Sequence, residues 1–241
     1  MQYGEFAYIY DRLIHADIDY DKWCDYIENF FAAHECEPQT ICELACGTGN
    51  ITSRLVKRGY DITGVDISAD MLTAAADKLH GTRLICCDMS RFATHEKFDA
   101  ALCMIDGINY VLLPEALQKT FNNVRGFLSE NGIFIFDIST EYKLKNIIGN
   151  NTFIHSEYDV FYSWQNEYHE KHNISDMLLN FFVREGENYA RFEENHKQRG
   201  WTVPQIKTLL RRAGFDEIHA YDELTTSIPR PDSERIVFVC K

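Results

Sequence analysis

The chain has 241 residues, 45% of them hydrophobic, which is enough for one large α/β domain with an inserted subdomain and too apolar for a disordered chain. Lys and Arg number 24 against 37 for Asp and Glu; the formal charge of −13 repels phosphate backbones and anionic lipid, so neither a nucleic-acid nor a membrane partner is expected. Eight cysteines with no C-x-x-C pair, several of them inside apolar runs, no secretory signal and no run of 18 apolar residues lead to the expectation of a reduced, cytoplasmic protein without a metal centre.

Trp23, Tyr26, Ile27, Phe30 and Phe31 recur at helical spacing and predict an amphipathic helix over 20–34. From Thr40 the pattern alternates: strand 40–44, helix 50–58, strand 62–66, helix 69–79, strands 83–87 and 98–104, helix 114–129 with Pro114 in its first turn, and strand 132–138. Near-continuous apolar strands separated by helices predict a parallel sheet covered on both faces. Between 150 and 200 the texture changes to alternating Tyr, Phe, His, Asn and Glu, which reads as antiparallel strands. A helix capped by Thr202 and closed by Gly214 follows, and the runs Phe215–Tyr221 and Glu234–Cys240 are expected to pair as an antiparallel ribbon on one sheet edge.

The chemistry concentrates in Glu43-Leu44-Ala45-Cys46-Gly47-Thr48-Gly49, where an apolar strand ends in a glycine turn that opens a helix. Gly47 and Gly49 let backbone approach a ligand, and the helix beginning near Asn50 directs its unpaired N–H groups at whatever sits in the turn. Asp66, seventeen residues after Gly49, stands where an acid meets a ribose diol in the next strand of a βαβ unit. Asp88, after the third strand, is placed to accept from an exocyclic amino group, with Ile67 and Met89 as apolar faces on either side of a purine. A dinucleotide-binding oxidoreductase shares the Gly-x-Gly turn, but here Thr52 replaces the third glycine, about forty residues precede the strand, and no slot remains for a second nucleotide.

With these residues in place the sequence resembles the class I S-adenosylmethionine-dependent methyltransferases, over almost its whole length. Glu43-x-x-Cys46-Gly47-Thr48-Gly49, Gly64-Val65-Asp66-Ile67-Ser68-x-x-Met71-Leu72 and Cys87-Asp88-Met89 are similar to that family's first three motifs, Phe98 to Met104 to its fourth strand, and Tyr3-x-x-Phe6-Ala7-x-x-Tyr10-Asp11 to the opening of small bacterial members. The resemblance implies a Rossmann-like, doubly wound α/β fold: a seven-stranded, mostly parallel sheet with an antiparallel C-terminal strand, plus a small antiparallel β insertion. It divides the chain into a cofactor-binding core with an N-terminal helical cap (1–148), an inserted β lid (149–200) and the rest of the core (201–241). It also implies S-adenosylmethionine as cofactor, with Tyr10 closing over it and backbone at Ala45, Gly47 and Gly49 along its methionine end. Glu43 would anchor the loop or the ammonium through water, Asp66 bind the ribose hydroxyls, Ile67 and Met89 sandwich adenine, Asp88 accept from the adenine amino group, and Met104 lie beneath the sulfonium.

Methyl transfer is an in-line displacement on an activated carbon, so positioning and water exclusion matter more than a dedicated base. The polar segment Asp106-Gly107-Ile108-Asn109-Tyr110 is where donor and acceptor should meet, and the lid, carrying His155, Tyr158, Tyr162, Trp164, His169, His172 and Arg191, should shape the acceptor pocket. Asn109, Tyr110 and His169 are the candidate catalytic residues. The expected partner is a small-molecule acceptor, and the expected assembly a monomer or weak homodimer. A non-catalytic S-adenosylmethionine-binding module is the alternative outside enzymes.

Overall fold

The computed structural model describes residues 18–157 and 159–241; the expectations placed on Tyr3, Phe6, Ala7, Tyr10, Asp11 and Tyr158 lie outside the described residues. The strands are β1 (Thr40–Leu44), β2 (Asp61–Asp66), β3 (Arg83–Cys86), β4 (Phe98–Cys103), β5 (Leu128–Ser139), β6 (Thr152–Glu157), β7 (Val160–His169), β8 (Ile174–Glu185), β9 (Asn188–Arg199), β10 (Ile218–Asp222) and β11 (Arg235–Cys240). The helices are α1 (Tyr20–Ala33), α2 (Asn50–Lys57), α3 (Ala69–Lys78), α4 (Pro114–Phe127) and α5 (Val203–Ala213).

Seven strands make one sheet in the order β10-β11-β5-β4-β1-β2-β3. All neighbours from β3 to β5 are parallel, while β11 runs antiparallel to both β5 and β10. Alternation along each strand supplies two cores. Ile41, Leu102, Ile135 and Val237 pack towards Trp23, Ile27 and Phe30 of α1 and Ile51 and Leu55 of α2. Cys42, Ala101, Phe134, Phe136 and Phe238 pack towards Leu117 and Phe121 of α4 and Ile206 and Leu210 of α5.

The structure extends or trims several elements. β5 begins at Leu128, directly on the end of α4, because Leu128 pairs with Phe98 before a bulge shifts the register to Ala100–Ile133. A 3₁₀ turn at Gly107–Tyr110 and a π-helical segment at Lys143–Ile148 are too short to leave a hydrophobic period in the sequence. Phe215 precedes β10 as a buried plug rather than a strand residue.

β6 to β9 form a second, four-stranded antiparallel sheet in sequential order. Register and pleat place Phe153, Tyr162, Trp164, Tyr168, Met177, Leu179, Phe181, Phe192, Glu194, His196 and Gln198 on one face. That face is the inner one: it packs on Met71 of α3 at one side and on Leu144 and Ile148 at the other.

Phe136 is fully buried, stacked between Phe134 (ring centroids 4.7 Å) and Phe238 (5.0 Å) with Phe121 at 5.5 Å. Phe136→Ala is expected to cost about 3–5 kcal/mol of unfolding free energy, read from urea denaturation; a loss below about 1 kcal/mol would mean this stack is not the centre of the core.

Candidate functional site

β1, β2 and β3 are adjacent and parallel, so their carboxyl ends open on one edge of the sheet. After β1 the backbone turns left-handed at Ala45 (φ 51°), Gly47 (φ 54°) and Gly49 (φ 75°). A Cβ on Gly47 would meet nothing within 4 Å, whereas one on Gly49 would come within 2.5 Å of Leu79 Cδ1. Gly47 thus faces open space at the strand ends, and Gly49 lets α2 start hard against α3.

Asp66 holds this turn. Its Oδ2 accepts the Gly47 N–H and its Oδ1 the Ser68 N–H, each at 2.8 Å. Burial raises its pKa against those hydrogen bonds. Ile67, the next residue, is 72% exposed at the strand end, a large apolar group with no core to join. Asp88 Oδ1 accepts the Ser90 N–H at 2.7 Å, and Met89 is half-buried against the α4 side of the core.

Glu43 lies deeper than the other two acids. Its parity on β1 turns it towards α2, where it accepts the Thr52 hydroxyl at 2.5 Å; the residue standing in place of a third glycine is thus its partner. Burial, assisted by Asp66 and opposed by Thr52, pushes its carboxyl up to about 7.

The turn after β4 is strained and held from below. Ile105 (φ 58°) and Asp106 (φ 67°) are consecutive non-glycine residues in left-handed backbone. Both donate their N–H groups to the wholly buried Asp137, at 2.5 and 3.1 Å. Arg235 pairs with Asp137, with Asp106 at 2.6 Å and with Glu223 at 3.0 Å. Burial works against the Asp106 charge, but Arg235, Lys143 and the Ser139 hydroxyl hold its carboxyl below the ordinary value. A Cβ on Gly107 would be 2.8 Å from the Ala45 Cβ, so the two turns are in contact.

The proposed catalytic candidates separate. Asn109 is fully buried; its amide donates to the carbonyls of Ser139 and Arg199, each at 2.8 Å, and accepts the Ser139 N–H at 2.9 Å. It pins the turn to β5 and β9, and those three bonds leave it a structural role rather than a chemical one. His169 falls on the outer face of the lid with Glu167 and Asp176, because the β7 pleat points it opposite to Tyr168. Tyr110 stays in the cleft. It is 47% exposed although it lies between the two sheets, as a wall residue would be, and it is hydrogen-bonded to Gln198. Burial and the fields of Asp106 and Asp66 push its phenol up to about 12. Met104 is buried on the α1 side of the sheet.

No local pattern marks Asp137, Arg235, Glu194, His196 or Gln198. Asp137 and Arg235 stand inside or beside apolar runs that read simply as strands, and the last three share an inner face only once the hairpin registers are known.

Residues 41–132 match a family model described as a methyltransferase domain. A crystal structure of an S-adenosylmethionine-dependent methyltransferase from Clostridium acetobutylicum ATCC 824 is similar at 36% identity with a TM-score of 0.91, covering 99% of this chain and 98% of that one. The YqeM protein of Bacillus subtilis (strain 168) is 35% identical over 244 residues, 99% of this chain and 96% of its own length. Glycine/sarcosine N-methyltransferase of Aphanothece halophytica is 24% identical over 210 residues, 83% of this chain and 75% of that protein. The chain belongs to the S-adenosylmethionine-dependent methyltransferases, an enzyme family whose cofactor is S-adenosylmethionine. The oxidoreductase and non-catalytic alternatives fall away with that membership. Among the described residues no helix is long and apolar enough to cross a membrane.

Glu43 carries a pH signature. The folded chain keeps its proton to about 7, against an ordinary 4.5, so unfolding releases a proton across that window and the group's contribution to stability falls as pH rises through it. Glu43→Gln keeps an acceptor for Thr52 without the charge. Wild type should therefore lose stability relative to this variant between pH 5 and 8, by a difference on the order of 2–3 kcal/mol, in urea midpoints. Parallel pH profiles for the two proteins would place that proton elsewhere.

Proposed function

We propose that this enzyme transfers the methyl group of S-adenosylmethionine directly to a small-molecule acceptor held between the strand tips of the large sheet and the inner face of the β6–β9 sheet. The observation that carries the reading is the open slot at Gly47, bounded by Asp66 and Ile67 and overhung by a lid that reaches Tyr110. The relative named for N-methylation of glycine and sarcosine supports a compact acceptor, as does a charge of −13, which disfavours nucleic acid.

The residues fit the cofactor. Asp66 accepts the Gly47 and Ser68 N–H groups, with the Ile67 N–H beside them, and its remaining acceptor capacity would be directed at the ribose hydroxyls. Ile67 and Met89 would flank adenine and Asp88 its amino group, while backbone at Ala45 and Gly47 would line the methionine end. When bound, S-adenosylmethionine supplies a methyl group already activated by its sulfonium. The chain's own work is to orient and to exclude water: the Asp137-held turn sets Gly107 against Ala45 and presents Tyr110 to the β6–β9 sheet, which would close the mouth. In this reading 149–200 is the acceptor-shaping unit, and 1–148 with 201–241 form the donor-binding core.

Asp66→Ala should weaken S-adenosylmethionine binding in equilibrium dialysis by roughly 1–3 kcal/mol, and Gly47→Ala should also weaken it, by filling the slot. Gly49→Ala should instead act mainly on thermal stability. S-adenosylhomocysteine formation against a panel of small amines, alcohols and acids tests the transfer itself. Unchanged dialysis affinity in Asp66→Ala would remove the ribose role, and turnover of a macromolecule alone would remove the small-molecule reading.

A further inference from the structure

We infer that the inner face of β9 is the acceptor site, where Glu194 and His196 bind and deprotonate the ammonium group of a small amine. This rests on the donor slot proposed above.

The pleat puts Phe192, Glu194, His196 and Gln198 in one row, neighbours about 6–7 Å apart. The row crosses the mouth of the slot. At one end Phe192 joins the cluster that includes Met71, and Glu194 is near enough to Asp70 to feel its charge; both contacts are at the start of α3, just beyond Asp66. At the other end the His196 ring meets the Tyr110 ring at 5.9 Å, edge to face, and Gln198 bonds the Tyr110 side chain. Tyr110 in turn feels Asp66, so the row and the donor acids share one space.

Charge decides the class of acceptor. Every Lys and Arg in β6 to β9, namely Arg184, Arg191, Lys197 and Arg199, falls on the outer face. The inner face offers Glu194, within reach of the Asp70 charge, with Trp164 and Leu179 across the strands from it. Burial raises the Glu194 carboxyl, a cost that a cation beside it offsets. An anionic acceptor beside this strand would meet the like charges of Glu194 and Asp70, while an ammonium finds a counter-ion and an aromatic wall.

An ammonium nitrogen has no lone pair to offer until it loses a proton. His196 faces Tyr110 from the 3₁₀ turn, Asn166 and Met177 across β7 and β8, and Glu194 and Gln198 on its own strand. Burial lowers its proton affinity, so it is neutral at physiological pH and able to accept. The N–H bond of the ammonium breaks with its electron pair left on the amine nitrogen, and the proton bonds to the imidazole.

The test uses the full chain loaded with S-adenosylhomocysteine and titrated with ethanolamine, glycine and glucosamine, with ethylene glycol as the uncharged control. The His196 ring signal, assigned with His196→Asn, should move and saturate with at least one amine and not with the glycol. Glu194→Gln should weaken that amine at least 10-fold and change S-adenosylhomocysteine affinity less than 2-fold. For an amine that turns over, His196→Asn should abolish the rise of kcat/KM with pH through the histidine range, while His169→Asn keeps it. No amine response at His196 in protein that binds S-adenosylhomocysteine overturns the site, as does undiminished amine affinity in Glu194→Gln. Failure of the wild type to bind S-adenosylhomocysteine strikes the donor slot instead.

Discussion

Two buried carboxylates, each holding backbone N–H groups at the turns that follow the strands, are what the arrangement of this molecule depends on. Asp66 joins Gly47 to Ser68, and Asp137 joins Ile105 to Asp106. Left-handed backbone at non-glycine residues costs about 1–2 kcal/mol each, and such turns persist only where surrounding bonds over-determine them. Because Gly107 abuts Ala45, fixing one turn fixes the other. The two carboxylates differ in their counter-charge. Asp137 has Arg235 against it, whereas Asp66 is bounded only by backbone dipoles and opens towards the slot.

That difference separates an acid neutralised by a cation from one held by backbone alone. Removing Arg235 would leave Asp106 and Asp137 buried side by side with only Lys143 and the Ser139 hydroxyl set against their charge, a cost of about 3–5 kcal/mol in comparable pairs. The network is completed by Glu223 and roofed by the Trp23 ring, 5.9 Å from the guanidinium. It therefore ties α1, β5, β10's following loop and β11 to the turn after β4, elements separated by more than two hundred residues in sequence.

Much of the core was legible because its signals are local. Apolar strands, glycine turns and acids at strand ends recur at fixed spacing, and the order of motifs fixes which strand tips share an edge. The lid was legible only as a texture. His169 and His196 look alike in the sequence, yet the first points outward and the second inward, since a strand's facing has a period of two and depends on where each hairpin turns. Arg235 was unreadable for a different reason: its partners lie on β5 and in the β4 turn, and only the antiparallel pairing of β11 with β5 brings them together.

The lid's composition follows from how it is attached. Its apolar contacts lie at its two flanks, Val160 and Phe181 against Met71, and Tyr168 and Met177 against Leu144 and Ile148. Glu194, His196 and Gln198 line the β9 edge of the same face, level with Leu179, Met177 and Ser175, while Trp164, Leu179 and Met177 carry the apolar surface from one cluster to the other. Buried apolar area holds the sheet in place without direction, and the polar edge adds directional contacts that a non-directional effect does not supply: Gln198 bonds the Tyr110 side chain and the His196 ring meets the Tyr110 ring at 5.9 Å. Polar groups brought out of water cost free energy unless they are paired. The edge strand is therefore tied to the turn after β4 by contacts that fix its register as well as its position.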